Sequence, residues 1–194
     1  MATLSDATFW TGAGGPGGRT TEPKRQSRFI LSMDSVPVWV VKRVTKPSLS
    51  ITEAGHQFLN HTFYYPGKLD WAPIDVTLVD PIDPDMAQTF LNIIKRAGYN
   101  PPTTREAAES HIITKNGFRP SIGGQISIKQ ITDGYGPGHK GVLEEWVIYN
   151  PFITSVQYGD LSYDSDELVQ ISVTMRYDYA DLVFTRGDGT VDAL

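Results

Sequence analysis

The sequence predicts a mainly β domain, two-layered or barrel-like, with one flanking α-helix (an α+β fold). Two observations carry this. Strand-type alternation recurs along residues 28–182, and one segment has the cap, period and closure of a good helix. The clearest alternation comes last. Over residues 168–179, Val169, Ile171, Val173, Met175, Tyr177 and Tyr179 fall on one side, and Gln170, Ser172, Thr174, Arg176 and Asp178 on the other. A side-chain period of two buries one face and leaves the other wet. Gly159-Asp160 and the acidic Asp164-Ser165-Asp166-Glu167 supply turn residues ahead of it, so residues 150–179 read as a long antiparallel hairpin.

The elements follow in chain order. Residues 1–27 read as an extended arm: the Gly/Pro-rich 12–18 and the polar 19–26 bury too little to offset the entropy of ordering them. Phe9 and Trp10 offer an anchor for its tip on a partner. From Arg28, Phe29, Leu31 and Met33 alternate, and Val36-Pro37 turns into a strand at 38–44. Residues 48–53 and 56–65 read as strands joined at Ala54-Gly55, and Tyr65-Pro66-Gly67-Lys68 as a turn. Ile74, Val76 and Leu78 then alternate with Asp75, Thr77 and Val79.

The helix opens with Asp83 as N-cap, Pro84 at its first position and an acidic first turn. Met86, Phe90, Ile93, Ile94 and Ala97 form its apolar stripe, and Lys95-Arg96 with Gly98 closes it. Residues 104–111 are a candidate second, shorter helix between loops at 99–102 and 115–117. Strands at 122–132, 143–149, 152–158 and 168–179 complete the domain and leave 183–194 as a C-terminal extension.

A chain of 194 residues buries roughly 70% of its unfolded surface and folds without staples. It has no cysteine, which excludes disulfides, thiol catalysis and cysteine-held zinc or iron–sulfur sites. The net charge of −5 is uneven: residues 1–30 carry +2 and residues 160–194 carry −6. The folded part therefore lacks a basic nucleic-acid footprint. No run of eighteen apolar residues exists, so no membrane span is expected, and no apolar signal-peptide region is read at the N-terminus.

Catalytic and ligand motifs do not survive inspection. Gly12-Ala13-Gly14-Gly15-Pro16-Gly17 matches a dinucleotide-loop pattern, but no strand precedes it, no helix follows, and Pro16 spoils the turn. Arg186-Gly187-Asp188 with Gly189 reads as a flexible turn. Asp80, Asp83 and Asp85 suit a strand end and a helix start better than a cation, and the 160–167 acids lack calcium-loop spacing. His56, His61, His111 and His139 are scattered, and no nucleophile elbow or paired carboxylates can be placed. Trp39, Trp71 and Trp146 lie within or beside strands, where packing is the default. No cofactor, metal or enzymatic activity is expected.

Two long segments carry a resemblance. Residues 63–80, Phe-Tyr-Tyr-Pro-Gly-Lys-Leu-Asp-Trp-Ala-Pro-Ile-Asp-Val-Thr-Leu-Val-Asp, resemble a hallmark of the tail tube proteins of contractile-tailed bacteriophages. Residues 145–153, Glu-Trp-Val-Ile-Tyr-Asn-Pro-Phe-Ile, together with 168–181, are similar to that family's C-terminal half. The resemblance covers residues 28–182 in order. It implies two orthogonal sheets with a flanking helix, six copies in a ring whose inner strands join one continuous barrel, and rings stacked into a hollow tube. The same fold serves baseplate tube initiators and the tubes of type VI secretion systems and phage-tail-like bacteriocins. Implied partners are further copies of the chain, the sheath, a baseplate initiator, and tape-measure and tail-terminator proteins. The implied location is the virion tail, assembled in the host cytoplasm. The arm, the segment 99–120 and the Gly-rich loop 134–141 depart from shorter family members.

The expected function is structural: a conduit that passes double-stranded DNA without binding it. A wall without a cationic stripe suits that task, since neutralised phosphates would make DNA stick. Candidate wall residues are Asn60, Thr62, Gln170, Ser172, Thr174, Arg176 and Asp178. The candidate inter-ring loop is 46–55, with Lys46, Ser48, Ser50, Thr52 and Glu53. On this face assignment Val173→Asp is not tolerated and Thr174→Asp is. Rival readings are a tube initiator or secretion-system tube of the same fold, and a monomeric β-sandwich that binds glycans through its tryptophans.

Overall fold

A computed structural model describes residues 24–101, 103, 112–131, 141–164, 166–185 and 191–193. The strands among these residues form three antiparallel sheets. A five-stranded sheet contains β1 (Phe29–Ser32), β6 (Gln125–Ile131), β7 (Val142–Tyr149), β10 (Tyr179–Thr185) and β11 (Val191–Ala193), adjacent in that order. A four-stranded sheet contains β2 (Val41–Val44), β5 (Ile74–Val79), β9 (Gln170–Arg176) and β8 (Phe152–Gln157), also in that order. Among the described residues, β3 (Leu49–Phe58) and β4 (His61–Trp71) pair only with each other. Two helices among the described residues, α1 (Met86–Arg96) and α2 (Lys115–Ile122), lie between β5 and β6 in the chain. The fold is the expected mainly β α+β class, with a second helix and a third, two-stranded sheet added.

The core follows from alternation. Ile74, Val76 and Leu78 of β5 and Ile171, Val173 and Met175 of β9 are buried in one cluster with Leu31, Ile126, Ile128 and Ile148 of the five-stranded sheet. Helix α1 adds Met86, Phe90 and Ile93, and α2 adds Phe118 and Ile122. The same alternation leaves the other faces of β5 and β9 uncovered.

Several elements sit differently from the sequence reading, each for a local reason. The strand expected at 38–44 starts at Val41, because residues 38–40 close a 3-10 turn that buries Val40 and leaves Val38 and Trp39 exposed. The loop expected at 46–55 is mostly strand: Ser50, Thr52 and Glu53 lie in β3, which runs unbroken through Ala54-Gly55. The chain turns instead at Leu59-Asn60, where Leu59 takes φ 52°. The turn expected at Pro66-Gly67 is a bulge within β4. Pro66 tolerates a strand with only one partner, and a Cβ on Gly67 would lie 2.5 Å from Thr52 Oγ1.

The helix start moves two residues on. Asp85, not Asp83, is the N-cap, accepting from Gln88 N–H at 2.9 Å, while Asp80 accepts from Met86 N–H at 3.0 Å. Lys115, Asn116 and Gly117, read as a loop, begin α2 under a Thr114 cap. Gly117 is there for packing and not for a turn: a Cβ would lie 2.5 Å from the Ala97 carbonyl oxygen and 2.7 Å from Ala97 Cα. Gly117→Ala therefore pries α2 from the end of α1. The expected cost is about 1–3 kcal/mol, read as a fall of several degrees in the melting temperature.

The last predicted strand is two strands in two sheets. β9 stops at Arg176, Asp178 turns the chain, and Tyr179 opens β10, exposed and stacked on Tyr149 with ring centroids 4.5 Å apart. The turn is held by Asp178 N–H donating to the Tyr149 carbonyl at 3.1 Å. β10 runs on to Thr185 and β11 pairs with it, so the sheet enters the segment read as a C-terminal extension. The helix expected at 104–111, the first 23 residues of the arm, and the glycine loop up to residue 140 lie outside the described residues.

Candidate functional site

Among the described residues, two surfaces stand open. The first is the outer face of the four-stranded sheet. Alternation opposite the buried Ile171, Val173 and Met175 sets Gln170, Ser172, Thr174 and Arg176 on it together. Cross-strand register adds Asp75 beside Thr174, and Thr77 with Gln157 beside Ser172. The Thr174 hydroxyl donates to Asp75 Oδ1 at 2.7 Å. Arg43 stands opposite Thr77 on β2. The face is hydroxyl- and amide-rich, with both charge signs present.

Three other sequence candidates lie elsewhere. Asp178 sits past the end of β9, where its carboxylate accepts from Asn150 Nδ2 at 2.9 Å and pairs with Lys115. Those two hydrogen bonds, Lys115 first, hold its pKa below the usual aspartate value. Asn60 and Thr62 belong to the β3–β4 hairpin tip.

That hairpin is the second surface. Strands of ten and eleven residues extend about 33 Å at roughly 3.3 Å per residue. Every residue of β3 is exposed, and in β4 only Thr62 and Trp71 are half-buried. Register places Leu49, Ile51, Tyr64 and Leu69 on one face, and Ala54, Phe58, Phe63 and Tyr65 on the other. An isolated two-stranded ribbon is marginal in water, and apolar side chains on both faces mark a segment built to be covered. The signal was present in the sequence: three consecutive aromatics, Phe63-Tyr64-Tyr65, necessarily point to both sides of a strand.

A charged knot near the hairpin's entry was not read from sequence. Glu144 of β7 is only 5% exposed and pairs with both Lys24 and Lys46. Lys46 Nζ also donates to the buried Gln130 Oε1 at 2.7 Å, and Gln130 Nε2 donates to the Arg25 carbonyl at 3.1 Å. Residues 24 and 25 are thereby fastened to the domain, and Lys46 is tied three residues before β3. Burial pushes the Glu144 carboxyl up, but the hydrogen bonds and charges of the two lysines outweigh it and its pKa is lowered. A depressed carboxylate contributes stability that is complete above its unfolded pKa and lost as pH falls through the folded one. Glu144→Gln should therefore cost about 1–2 kcal/mol at neutral pH. In thermal melts, the gap between variant and wild type should close as the pH drops below the usual glutamate value.

Among the described residues no cluster of three or more His, Asp or Glu is placed to hold a metal, and no helix is long and apolar enough to cross a membrane.

No family model matches the chain, and no curated protein sequence does. Solved structures do match. A chain from the tube-terminating cap of the anti-feeding prophage has a TM-score of 0.59 at 14% identity, covering 86% of this chain and 94% of that one. A chain from the six-fold-symmetrised baseplate of the same prophage has a TM-score of 0.58 at 10% identity, covering 88% and 100%. A third, from the PVC sheath/tube terminator of an extracellular contractile injection system in the extended state, has a TM-score of 0.58 at 16% identity, covering 84% and 97%. The chain has the fold of these contractile-injection proteins, which is the fold the sequence resemblance implied.

Proposed function

We propose that this chain is a structural, non-enzymatic tube subunit of a contractile tail. In this reading copies close into six-membered rings through the edges of the four-stranded sheet, and rings stack through the β3–β4 hairpin. The observation that carries it is that hairpin, open on both apolar faces, on a domain of contractile-injection fold.

Ring closure answers a second structural need. β2 and β8 are the edges of the four-stranded sheet, and joining one copy's β2 to the next copy's β8 removes both. Six four-stranded sheets joined in this way make a barrel of about 24 strands. At about 4.8 Å between strands and a tilt of about 40°, its circumference is roughly 150 Å and its backbone diameter about 48 Å. That leaves room for a double helix once side chains line the wall.

The wall consists of the open face: Gln170, Ser172, Thr174 and Arg176, with Asp75 and Thr77. Its mixed signs and hydroxyls give passing phosphates no continuous cationic stripe. Asn60 and Thr62 go with the stacking contact, as do Ser50, Thr52 and Glu53 of β3. The sheath, baseplate initiator, tape-measure and terminator proteins are the remaining partners, and the assembly belongs to the virion tail.

Negative-stain microscopy and mass measurement of the purified chain decide it. Six-fold rings or long striated tubes are expected; a monodisperse 21.5 kDa species at high concentration would sink the proposal. A second reading, cap or initiator, is favoured by the similar chains coming from a cap, a baseplate and a terminator. It predicts single rings that never stack.

A further inference from the structure

Two exposed apolar features sit at the same end of the four-stranded sheet, on its opposite edges. Register fixes this. Val41 of β2 pairs with Leu78 of β5, which pairs with Ile171 of β9. The next residues along, Val79 and Gln170, pair with each other, and Asp80 N–H then donates to the Val169 carbonyl. Trp39 lies two residues before Val41, in the turn just beyond that end of β2. It is 64% exposed in the turn that buries its neighbour Val40.

On the other edge, β8 runs out through Gly159 into the loop that returns to β9 at Gln170. Gly159 takes φ 80°, and a Cβ there would lie 2.6 Å from the Gln170 carbonyl oxygen, so the loop's departure is fixed by backbone contact. Leu161, Tyr163 and Leu168 are exposed and line a groove of about 600 Å³ between the loop's two limbs. The groove is large enough for an indole. Charge distinguishes the two edges as well. Residues 159–170 carry Asp160, Asp164, Asp166 and Glu167 and no lysine or arginine, whereas β2 is Val-Lys-Arg-Val.

Within one copy these features cannot meet, since β2 and β8 are three strand spacings apart, about 14 Å. A rotational, head-to-tail contact brings one copy's β2 edge to the next copy's β8 edge, about 5 Å away.

We infer that Trp39 of one copy seats in the Leu161–Tyr163–Leu168 groove of its ring neighbour, with Lys42 toward the neighbour's Asp160. The contact makes the ring interface directional: a basic, tryptophan-bearing edge fits only an acidic, grooved one. The inference rests on the ring reading above and adds the side chains that close the ring.

The chain's lack of cysteine provides a clean test. In the full chain, Trp39→Cys combined with Leu161→Cys is oxidised and run on a denaturing gel beside each single variant. The expected result is a ladder of covalent multimers reaching the hexamer for the pair, with each single variant giving dimers at most. Rings visible by microscopy without a ladder overturn the Trp39 contact and leave the ring reading standing. Monomers by mass measurement for the wild-type chain overturn both. A ladder from Trp10→Cys with Leu161→Cys, and none from the Trp39 pair, assigns the groove to the N-terminal arm and overturns the inference.

Discussion

Val173→Asp unfolds the domain. Val173 is fully buried in β9, between Val76 of β5 and Val156 of β8, inside the hydrophobic core cluster. Stranding a carboxylate there costs upward of about 4 kcal/mol, against a total stability of roughly 5–15 kcal/mol. Ser172→Asp, one residue earlier and on the open face, should melt within a few degrees of wild type. Thermal unfolding followed by circular dichroism separates the two, and equal melting temperatures would disprove the face assignment. The structure also revises the tolerance expected at Thr174. Its hydroxyl bonds Asp75, so Thr174→Asp sets two carboxylates side by side and should cost about 1 kcal/mol. Thr174→Asn avoids that repulsion.

A charge on the hairpin should stop tube growth while leaving the subunit folded. Phe63 and Tyr64 point to opposite faces of β4 and are both exposed in the single chain, so Phe63→Asp or Tyr64→Asp moves the melting temperature little. In the proposed stack the same aromatics are buried. Losing one central aromatic costs about 2 kcal/mol or more at an interface, and six copies act together at every ring-to-ring junction. The junction therefore fails as a unit. Sedimentation and microscopy should show rings without tubes. If both variants form tubes as long as wild type, the hairpin is not the stacking element. Gln57→Asp, at an already polar hairpin position, is the matched control and should leave tube length unchanged.

The core was largely legible in the sequence. Ile74, Val76, Leu78, Ile171, Val173 and Met175 alternate with polar neighbours, and Met86, Phe90 and Ile93 recur at helical spacing; all nine are buried. The open face of β9 was legible for the same reason. What misled were glycine and proline. Ala54-Gly55 and Pro66-Gly67 read as turns, yet both lie within long strands. Gly67 serves a bulge and Gly117 a helix–helix contact, and in each case the neighbour that forbids a Cβ is distant in sequence. Glu144 gave no local signal either: its lysines are 98 and 120 residues away.

Periodicity is a local property of the backbone, so within each strand the sequence alone settled which residues share a face. It also settled that the chain is mainly β with a capped, amphipathic helix after β5. Tertiary structure decided what each face and edge meets. It broke the last alternating segment at Asp178 to feed two sheets, tied Lys24 and Lys46 to one buried carboxylate, and left one hairpin uncovered. Those outcomes depend on long-range pairing, which no spacing along the chain encodes.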